Sequence, residues 1–362
     1  MKVYVAATRQ NDGKTIVSLG LISAMLKRGR KVGYIKPVGQ HYIEVNGDKI
    51  DEDSILVKET YQLPGELTDT SPVAIPRGFT ENYINNPNRE ELATGITEAF
   101  RRVSADKDFT LIEGTGHAGV GSVFDMSNAD VARLLGADVI LVSAGGVGKP
   151  IDEIMLNKAL FDAMGVRILG VIINKVQPEK YQKIEPIVRK GLARKGLEVL
   201  GVMPYEQFLA SPTIGELLSE IDGELLSGEN HLQDTVKRMV IGAMPPHEAL
   251  DYFVDGSLVI TPGSREDLIL AALGFCGFST EVGRISGLVL TGGMKPHPRI
   301  LALIRRSEIP CISVSEDTFT VATRINGLIV KIRPGDRERI AVTEDLVARY
   351  VDIERALDLL EN

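Results

Sequence analysis

Short apolar runs alternate with helical patterns through the first half of the chain. The runs are Val3–Ala6, Val32–Ile35, Thr110–Ile112, Val139–Val142, Ile168–Ile173 and Val199–Met203. Strands that are apolar on both faces, with helices between them, are typical of a parallel sheet that is covered on each side. The pattern therefore predicts an α/β domain. Open sheets of this kind bind ligands at the carboxyl edge of their strands, so candidate functional residues are expected where the runs end.

The alternation stops between Pro204 and Gly228, where prolines and glycines become frequent. A smaller α/β cycle is predicted beyond it, with strands Leu258–Ile260, Leu288–Leu290 and Cys311–Val314 and helices Asp267–Leu273 and Arg299–Arg306. Apolar residues at helical spacing then recur at Leu346, Tyr350, Ile353, Leu357 and Leu360. We therefore expect a first domain at residues 1–210, a second at 211–335 and a C-terminal helical segment at 336–362.

Composition is that of an ordinary globular protein. The chain has 362 residues, of which 44% are hydrophobic and 25% charged, and its formal net charge is −8. An acidic chain is a poor partner for nucleic acid or an anionic membrane surface. It has two cysteines, Cys276 and Cys311, and no apolar stretch long enough to span a bilayer. We therefore expect a cytoplasmic protein with neither a disulfide framework nor a membrane span.

The most informative motif is Ala7-Thr8-Arg9-Gln10-Asn11-Asp12-Gly13-Lys14-Thr15, between a predicted strand and a predicted helix. A loop there directs backbone N–H groups and the positive helix end at one point, while Lys14 and Thr15 offer a cation and a hydroxyl. This chemistry suits ATP, or another nucleoside triphosphate, with Mg²⁺. The full P-loop pattern has glycine where Thr8 stands. The predicted phosphate-binding residues are Thr8, Asn11, Gly13, Lys14 and Thr15.

Other strand ends supply candidates for the same site. Magnesium prefers oxygen ligands, and Asp53 and Glu113 are the carboxylates that we predict for it, together with Thr15. Lys36 follows a strand and is a candidate catalytic cation, while Asn174 has an amide suited to a purine edge. For each of these residues there is a simpler interpretation, namely an ordinary surface residue or a member of a solvated acidic face. The stretch 145–150 also looks like a phosphate loop, but Pro150 removes a hydroxyl and a backbone donor, so we interpret it as a wall of the cleft.

At these residues the chain resembles dethiobiotin synthetase and the amidotransferase-linked synthetases of cobyrinate metabolism. Their Gly-Thr-x-Thr-x-Val-Gly-Lys-Thr loop aligns with residues 7–15, and the match continues through Lys36-Pro37-Val38, Glu113-Gly114-Thr115-Gly116 and the strand of Asn174. The resemblance implies that Lys14, Thr15, Asp53 and Glu113 bind ATP and Mg²⁺. It also implies that Lys36 helps to activate a carbamate and that Asn174 contacts adenine.

Arg9 departs from that pattern, because the synthetase has an acidic residue there. Partition-type ATPases of the same superfamily carry a lysine at this position that reaches the nucleotide of a dimer partner. The resemblance implies that Arg9 stabilises transferred charge, as an arginine finger does. The alternative is an exposed loop arginine that offsets Asp12.

The second half resembles the DRTGG domain through Thr261-Pro262-Gly263-Ser264-Arg265-Glu266-Asp267 and Leu290-Thr291-Gly292-Gly293. In this order, the two domains resemble the amino-terminal regulatory half of long bacterial phosphate acetyltransferases. Arg265, Gly292 and Gly293 are candidates for a second ligand site, with an anion as ligand. No counterpart of the acetyltransferase catalytic domain is recognised in these residues, so acetyl transfer is not expected.

Three functions follow from these patterns. The favoured one is an ATP- and Mg²⁺-binding regulatory protein that senses nucleotide or metabolite, forms a homo-oligomer and acts with an enzyme of acetyl-phosphate or acyl metabolism. The second is an ATP-dependent ligase that phosphorylates a carboxylate or carbamate. The third is a partition-like ATPase that dimerises around nucleotide, for which Arg9 is the sole support. Whether the protein is an enzyme stays open at this stage.

Overall fold

The computed structural model describes residues 1–278 and 283–361. The strands within these residues are β1 (Lys2–Ala7), β2 (Val32–Ile35), β3 (Val38–Gly39), β4 (Tyr42–Val45), β5 (Asp48–Asp51), β6 (Val73–Ala74), β7 (Phe109–Glu113), β8 (Asp138–Ala144), β9 (Ile168–Val176), β10 (Val199–Pro204), β11 (Glu224–Ser227), β12 (Arg238–Ile241), β13 (Ser257–Pro262), β14 (Gly287–Thr291) and β15 (Cys311–Ser313).

The helices are α1 (Lys14–Lys27), α2 (Glu52–Tyr61), α3 (Leu67–Thr70), α4 (Phe79–Asn85), α5 (Arg89–Ser104), α6 (Asn128–Leu135), α7 (Gly148–Ala163), α8 (Tyr181–Ala193), α9 (Gln207–Ala210), α10 (Ile214–Ile221), α11 (Pro246–Ala249), α12 (Glu266–Phe278), α13 (Pro298–Ser307), α14 (Thr318–Gly327), α15 (Arg337–Tyr350) and α16 (Ile353–Glu361). Each strand that the apolar runs predict is present. In the described ranges, no helix has the length and apolar composition needed to cross a bilayer.

The chain divides into two compact units. One comprises Met1–Tyr205 together with Ile332–Asn362, and the other comprises Glu206–Lys331. The helical spacing near the C-terminus belongs to two helices, α15 and α16, which pack in the first unit. The predicted fold class is confirmed: a parallel-sheet α/β domain is followed by a smaller α/β domain.

The first unit is built on a parallel sheet of six strands in the order β10-β9-β8-β1-β7-β2. The central strand β1 pairs with β7 on one side and β8 on the other, so the chain order reverses at β1. A reversal of this kind opens a crevice at the carboxyl ends of the strands. The residues that follow β1, β2, β7 and β9 therefore meet along one edge.

A long connection between β2 and β7 carries a hairpin that the apolar pattern did not predict. Strands β4 and β5 pair antiparallel, and Asn46 and Gly47 form their turn with φ values of 53° and 91°. Asn-Gly is the preferred pair for such a left-handed two-residue turn. The acidic stretch at 48–53 is therefore a strand that ends in Asp51 and leads directly into α2.

The C-terminal helices complete the first unit. Helix α15 packs on α1, with Gly20 so close to Val347 that a Cβ at residue 20 would lie 2.3 Å from the valine side chain. The link between α15 and α16 lies along the edge strand β10, where Asp352 N donates to the Leu200 carbonyl at 2.8 Å. The segment thus covers both the first helix and an open sheet edge.

The second unit is a five-stranded sheet in the order β11-β15-β14-β13-β12. Strands β12 to β15 run parallel and β11 pairs antiparallel with β15. Helices α12 and α13 cover one face with a core that includes Leu268 and Ile304, while α10 and α14 cover the other with a core that includes Leu217 and Val321.

Candidate functional site

The loop between β1 and α1 is closed by one of its own side chains. The Asp12 carboxylate accepts hydrogen bonds from the Thr8 hydroxyl at 2.7 Å and from the Arg9 backbone N–H at 2.9 Å. Asn11 and Gly13 have left-handed φ values of 66° and 104°. These contacts hold the loop in a tight turn directly before α1.

The head of α1 presents unused donors. Within the described residues, no protein acceptor takes the backbone N–H groups of Gly13, Lys14 and Thr15. Unpaired N–H groups at a helix start, together with the positive end of the helix dipole, attract anions. The Lys14 ammonium lies at the same point and is nearly buried. This arrangement suits a phosphate group.

Asn174 braces the loop from the end of β9. Its amide Nδ2 donates to the Asp12 carbonyl at 2.9 Å, and its Oδ1 accepts from the Lys175 backbone N–H at 2.8 Å. A Cβ at Gly13 would lie 2.1 Å from Asn174 Nδ2, so only glycine fits beneath this amide. The side chain predicted at a purine edge is here hydrogen-bonded to the phosphate loop itself.

Lys175 is a neighbouring contact that the sequence reasoning missed. Its Nζ donates to the Asn11 carbonyl at 2.7 Å, and its own φ is left-handed at 60°. Burial lowers the pKa of this lysine. Asn174 and Lys175 together hold the consecutive carbonyls of Asp12 and Asn11 in place.

Three oxygen ligands for a metal converge beside the loop. The Thr15 hydroxyl lies 3.0 Å from Glu113 Oε1 and 3.4 Å from Asp53 Oδ1. Among residues 1–278 and 283–361, no group of three or more His, Cys, Asp or Glu side chains forms a metal site of its own. Magnesium that is bound with phosphates needs only one or two carboxylates, and these residues fit that requirement.

Lys36 lies between two carboxylates. Its Nζ is 2.9 Å from Asp51 Oδ1 and forms a second ion pair with Asp53. Burial on its own would lower the pKa of Lys36, but the charges of Asp53 and Asp51 outweigh it and hold the pKa above its ordinary value. The ammonium therefore stays charged, and its charge is directed at the carboxylates.

Burial also shifts the pKa values of two ionisable groups of the site, Glu113 and Lys14. It raises the pKa of the Glu113 carboxyl to about 7, and the Asp53 charge acts in the same direction. It lowers the pKa of Lys14, an effect that Glu113 partly offsets. The Tyr34 hydroxyl donates to Glu113 Oε2 at 3.3 Å. A carboxyl that holds its proton near neutral pH is typical of functional sites.

Two asparagines that the sequence did not single out organise the loop after β7. Asn128 donates to the carbonyls of Thr115 and His117 at 2.7 and 2.6 Å and accepts from Thr115 N–H at 3.0 Å. Asn157 on α7 accepts from Ala118 N–H at 2.7 Å and donates to the Thr8 carbonyl at 3.4 Å. These bonds tie the loop that follows Glu113 to the phosphate loop. No short-range sequence pattern predicts the hydrogen bonds of these two asparagines.

Arg9 forms an ion pair with Glu153 on α7 of the same chain, and 44% of its side chain is exposed. The Asp12 carboxylate is bonded to the Arg9 backbone rather than to its guanidinium. In the 145–150 stretch, Gly145 packs against the backbone of Lys175 and Val176, which places that loop beside the end of β9.

The candidate residues of the second unit lie at the carboxyl edge of its own sheet. Gly292 and Gly293 have left-handed φ values of 80° and 66°, and their N–H groups donate to the carbonyls of Glu316 and Val314. The Arg265 guanidinium is paired with Asp267 at 2.9 Å. These donors, predicted to hold an anion, are engaged in bonds within the protein.

Comparison with known families agrees with the geometry of the first unit. A family model described as an AAA domain matches residues 1–213. The chain belongs to the AAA domain family. In this family member, a second model described as a DRTGG domain matches residues 216–328, so the predicted DRTGG domain is confirmed.

The relatives of this AAA domain family member include phosphate acetyltransferases. That of Nitratidesulfovibrio vulgaris is 31% identical over 361 residues, which cover 97% of this chain and 50% of the relative. That of Escherichia coli is 23% identical, over 97% of this chain and 52% of the relative. The chain spans about half the length of the curated relatives that it matches.

Solved structures with detectable likeness are more distant. The septum site-determining protein MinD from Pyrococcus horikoshii, complexed with Mg-ADP, is 16% identical, with a TM-score of 0.35, over 58% of this chain and 84% of that chain. The CBS and DRTGG domains of a Clostridium perfringens pyrophosphatase, complexed with diadenosine tetraphosphate, are 21% identical, with a TM-score of 0.28, over 34% of this chain and 51% of that chain.

Proposed function

We propose that the protein is a regulatory protein of the phosphate acetyltransferase type that binds a nucleoside triphosphate with Mg²⁺ in its first unit. The observation that carries the proposal is the head of α1, where unpaired N–H groups and Lys14 face one point. Thr15, Asp53 and Glu113 supply oxygen ligands beside it. A phosphate chain with its magnesium needs this combination of donors, cation and carboxylates.

The packing of α1 within the first unit supports a regulatory role. Helix α1, which starts at the phosphate loop, packs against α15, and α15 follows the second unit in sequence. The Tyr61 hydroxyl links the two helices, because it lies 2.9 Å from the Leu19 carbonyl and 3.0 Å from Glu344 Oε1, two acceptors that share its one proton. A ligand that binds two states of α1 with different affinity shifts their populations.

The ligase alternative depends on a lysine that acts on an acceptor substrate. Lys36 is the candidate for that role, but its ammonium is held by Asp51 and Asp53. The partition-like alternative depends on Arg9, whose guanidinium pairs with Glu153 of its own chain. Neither arrangement favours these functions over regulation.

Hydrogen–deuterium exchange tests the regulatory proposal. Addition of ATP with Mg²⁺ is expected to protect amides of the phosphate loop and to change exchange in residues 206–331, because the second unit senses the nucleotide state of the first. The Lys14→Ala variant is the control and is expected to show neither change. Protection of the loop without any change at 206–331 would contradict regulation while leaving nucleotide binding intact.

A further inference from the structure

Asp51 is a buried carboxylate at the end of the β4–β5 hairpin that sequence reasoning passed over. Its Oδ1 accepts from the Asp53 backbone N–H at 3.0 Å, which makes Asp51 the N-cap of α2. The same oxygen lies 2.9 Å from Lys36 Nζ. Because Asp51 and Asp53 are two residues apart at this helix start, their carboxylates hold Lys36 from both sides.

Stability alone does not explain this placement. Asp51 is 1% exposed, and its Oδ2 has no hydrogen-bond partner within the described residues. A Cβ at Gly39 would lie 2.7 Å from that oxygen. A buried carboxylate oxygen without a partner costs free energy, and buried ion pairs are often replaceable by apolar residues without loss of stability. The arrangement therefore calls for a functional reason.

The functional reason that we infer concerns the position of the Lys36 ammonium. The Lys36 side chain is 7% exposed and carries a positive charge beside the phosphate site. Its ammonium is paired with the carboxylates of Asp51 and Asp53. Its pairing with one oxygen of Asp53 leaves the other, Oδ1, 3.4 Å from the Thr15 hydroxyl.

We propose that Asp51 is a positioning residue that acts through Lys36 and makes nucleotide binding at this site depend on a divalent cation. Asp51 holds the Lys36 ammonium away from the phosphates and against Asp53, so that the phosphate charge must be neutralised by metal at Thr15, Asp53 and Glu113. This inference rests on the proposed nucleotide site and assigns Asp51 its metal requirement.

Calorimetry with ATP as the probe, once with excess Mg²⁺ and once with EDTA, tests the proposal. The Asp51→Asn variant removes the charge and retains a capping oxygen for Asp53 N–H. The Lys36 ammonium is then paired with Asp53 alone and turns to the phosphates more readily, so the affinity for metal-free ATP is expected to rise about tenfold. The affinity for Mg·ATP changes much less, and the ratio of the two affinities falls. Asp51→Ser, which also keeps a cap, replaces this variant if Asp51→Asn does not fold.

Two controls isolate the effect. Asp48→Asn removes an exposed charge at the start of the same strand and is expected to leave the ratio unchanged. In the double variant Asp51→Asn/Lys36→Gln, the gain in metal-free affinity is expected to disappear, because Lys36 mediates it. Retention of the gain in the double variant would overturn the proposed route through Lys36.

The outcomes separate this proposal from the one on which it rests. If the wild type binds no ATP under either condition, the proposed function fails and the role of Asp51 fails with it. If the wild type binds ATP but Asp51→Asn keeps the wild-type ratio, only the role of Asp51 is overturned. An equal loss of affinity with and without Mg²⁺ would mark Asp51 as a purely structural residue and would also overturn the proposal.

Discussion

At the scale of single residues, the protonation of Glu113 sets how the site responds to pH. Burial raises the pKa of this carboxyl to about 7. The folded protein therefore holds the proton more tightly than the unfolded chain does. Between the ordinary carboxyl pKa and about 7, the contribution of Glu113 to the free energy of unfolding falls as pH rises.

Metal binding is expected to have the opposite pH dependence. Below pH 7, Mg²⁺ must displace the Glu113 proton, so the affinity for Mg·ATP rises with pH, by up to about tenfold per unit, and levels off above 7. Calorimetry between pH 6 and 8.5 measures this. The Glu113→Gln variant, run in parallel, retains only the titration of ATP itself. Identical slopes for the two proteins would contradict the assignment of Glu113 as a metal ligand.

Hydrogen bonds between residues that are far apart in sequence could not be predicted from the sequence. The sequence predicts Lys14, Thr15, Asp53 and Glu113, and the structure brings these side chains to one point. It does not predict Asn157, whose partners Ala118 and Thr8 are 39 and 149 residues away. Such bonds depend on how the strands are ordered in the sheet, which local patterns do not specify.

At the scale of elements, the packing of α1 against α15 depends on one glycine. A Cβ at Gly20 would lie 2.3 Å from Val347, in an interface between two helices with little room to relax. Gly20→Ala is expected to lower the free energy of unfolding by about 1–3 kcal/mol, because overpacking forces the helices apart. Chemical denaturation measures the change.

Gly95 provides the matched control for this prediction. It lies in the middle of α5, is exposed, and has no neighbouring atom within 4 Å of an added Cβ. Gly95→Ala is expected to raise the free energy of unfolding by about 0.5–1 kcal/mol, since alanine favours the helix and restricts the unfolded chain. A stabilising effect at both positions would contradict the close packing of α1 and α15.

Elements were predictable to different degrees for physical reasons. The apolar strands of the six-stranded sheet are buried on both faces and are therefore visible as runs of hydrophobic residues. The β4–β5 hairpin is mostly exposed and polar, so hydrophobicity did not reveal it. The Asn46-Gly47 pair, which is typical of a hairpin turn, is the sequence feature that indicates this hairpin. Because the apolar pattern does not predict the hairpin, it does not single out Asp51 at the end of β5.

At the scale of the whole molecule, the proposed nucleotide site lies in the first unit and the proposed regulatory role involves the second. The matches to the AAA and DRTGG domain models, at residues 1–213 and 216–328, follow the two compact units closely. The phosphate acetyltransferases that it resembles are about twice as long as this chain. Nucleotide binding is the claim on which the proposed regulation and the role of Asp51 both depend.

Isothermal titration calorimetry with ATP, and separately with GTP, in the presence of Mg²⁺ tests that claim most directly. The wild type is expected to bind one nucleotide per chain, and Lys14→Ala is expected to bind it about a hundredfold more weakly, because a charged phosphate contact is lost. Lys183→Ala changes an exposed lysine of α8, outside the site, and is expected to bind as the wild type does. The absence of binding heat for both nucleotides, or equal affinity in the wild type and Lys14→Ala, would contradict nucleotide binding at the head of α1.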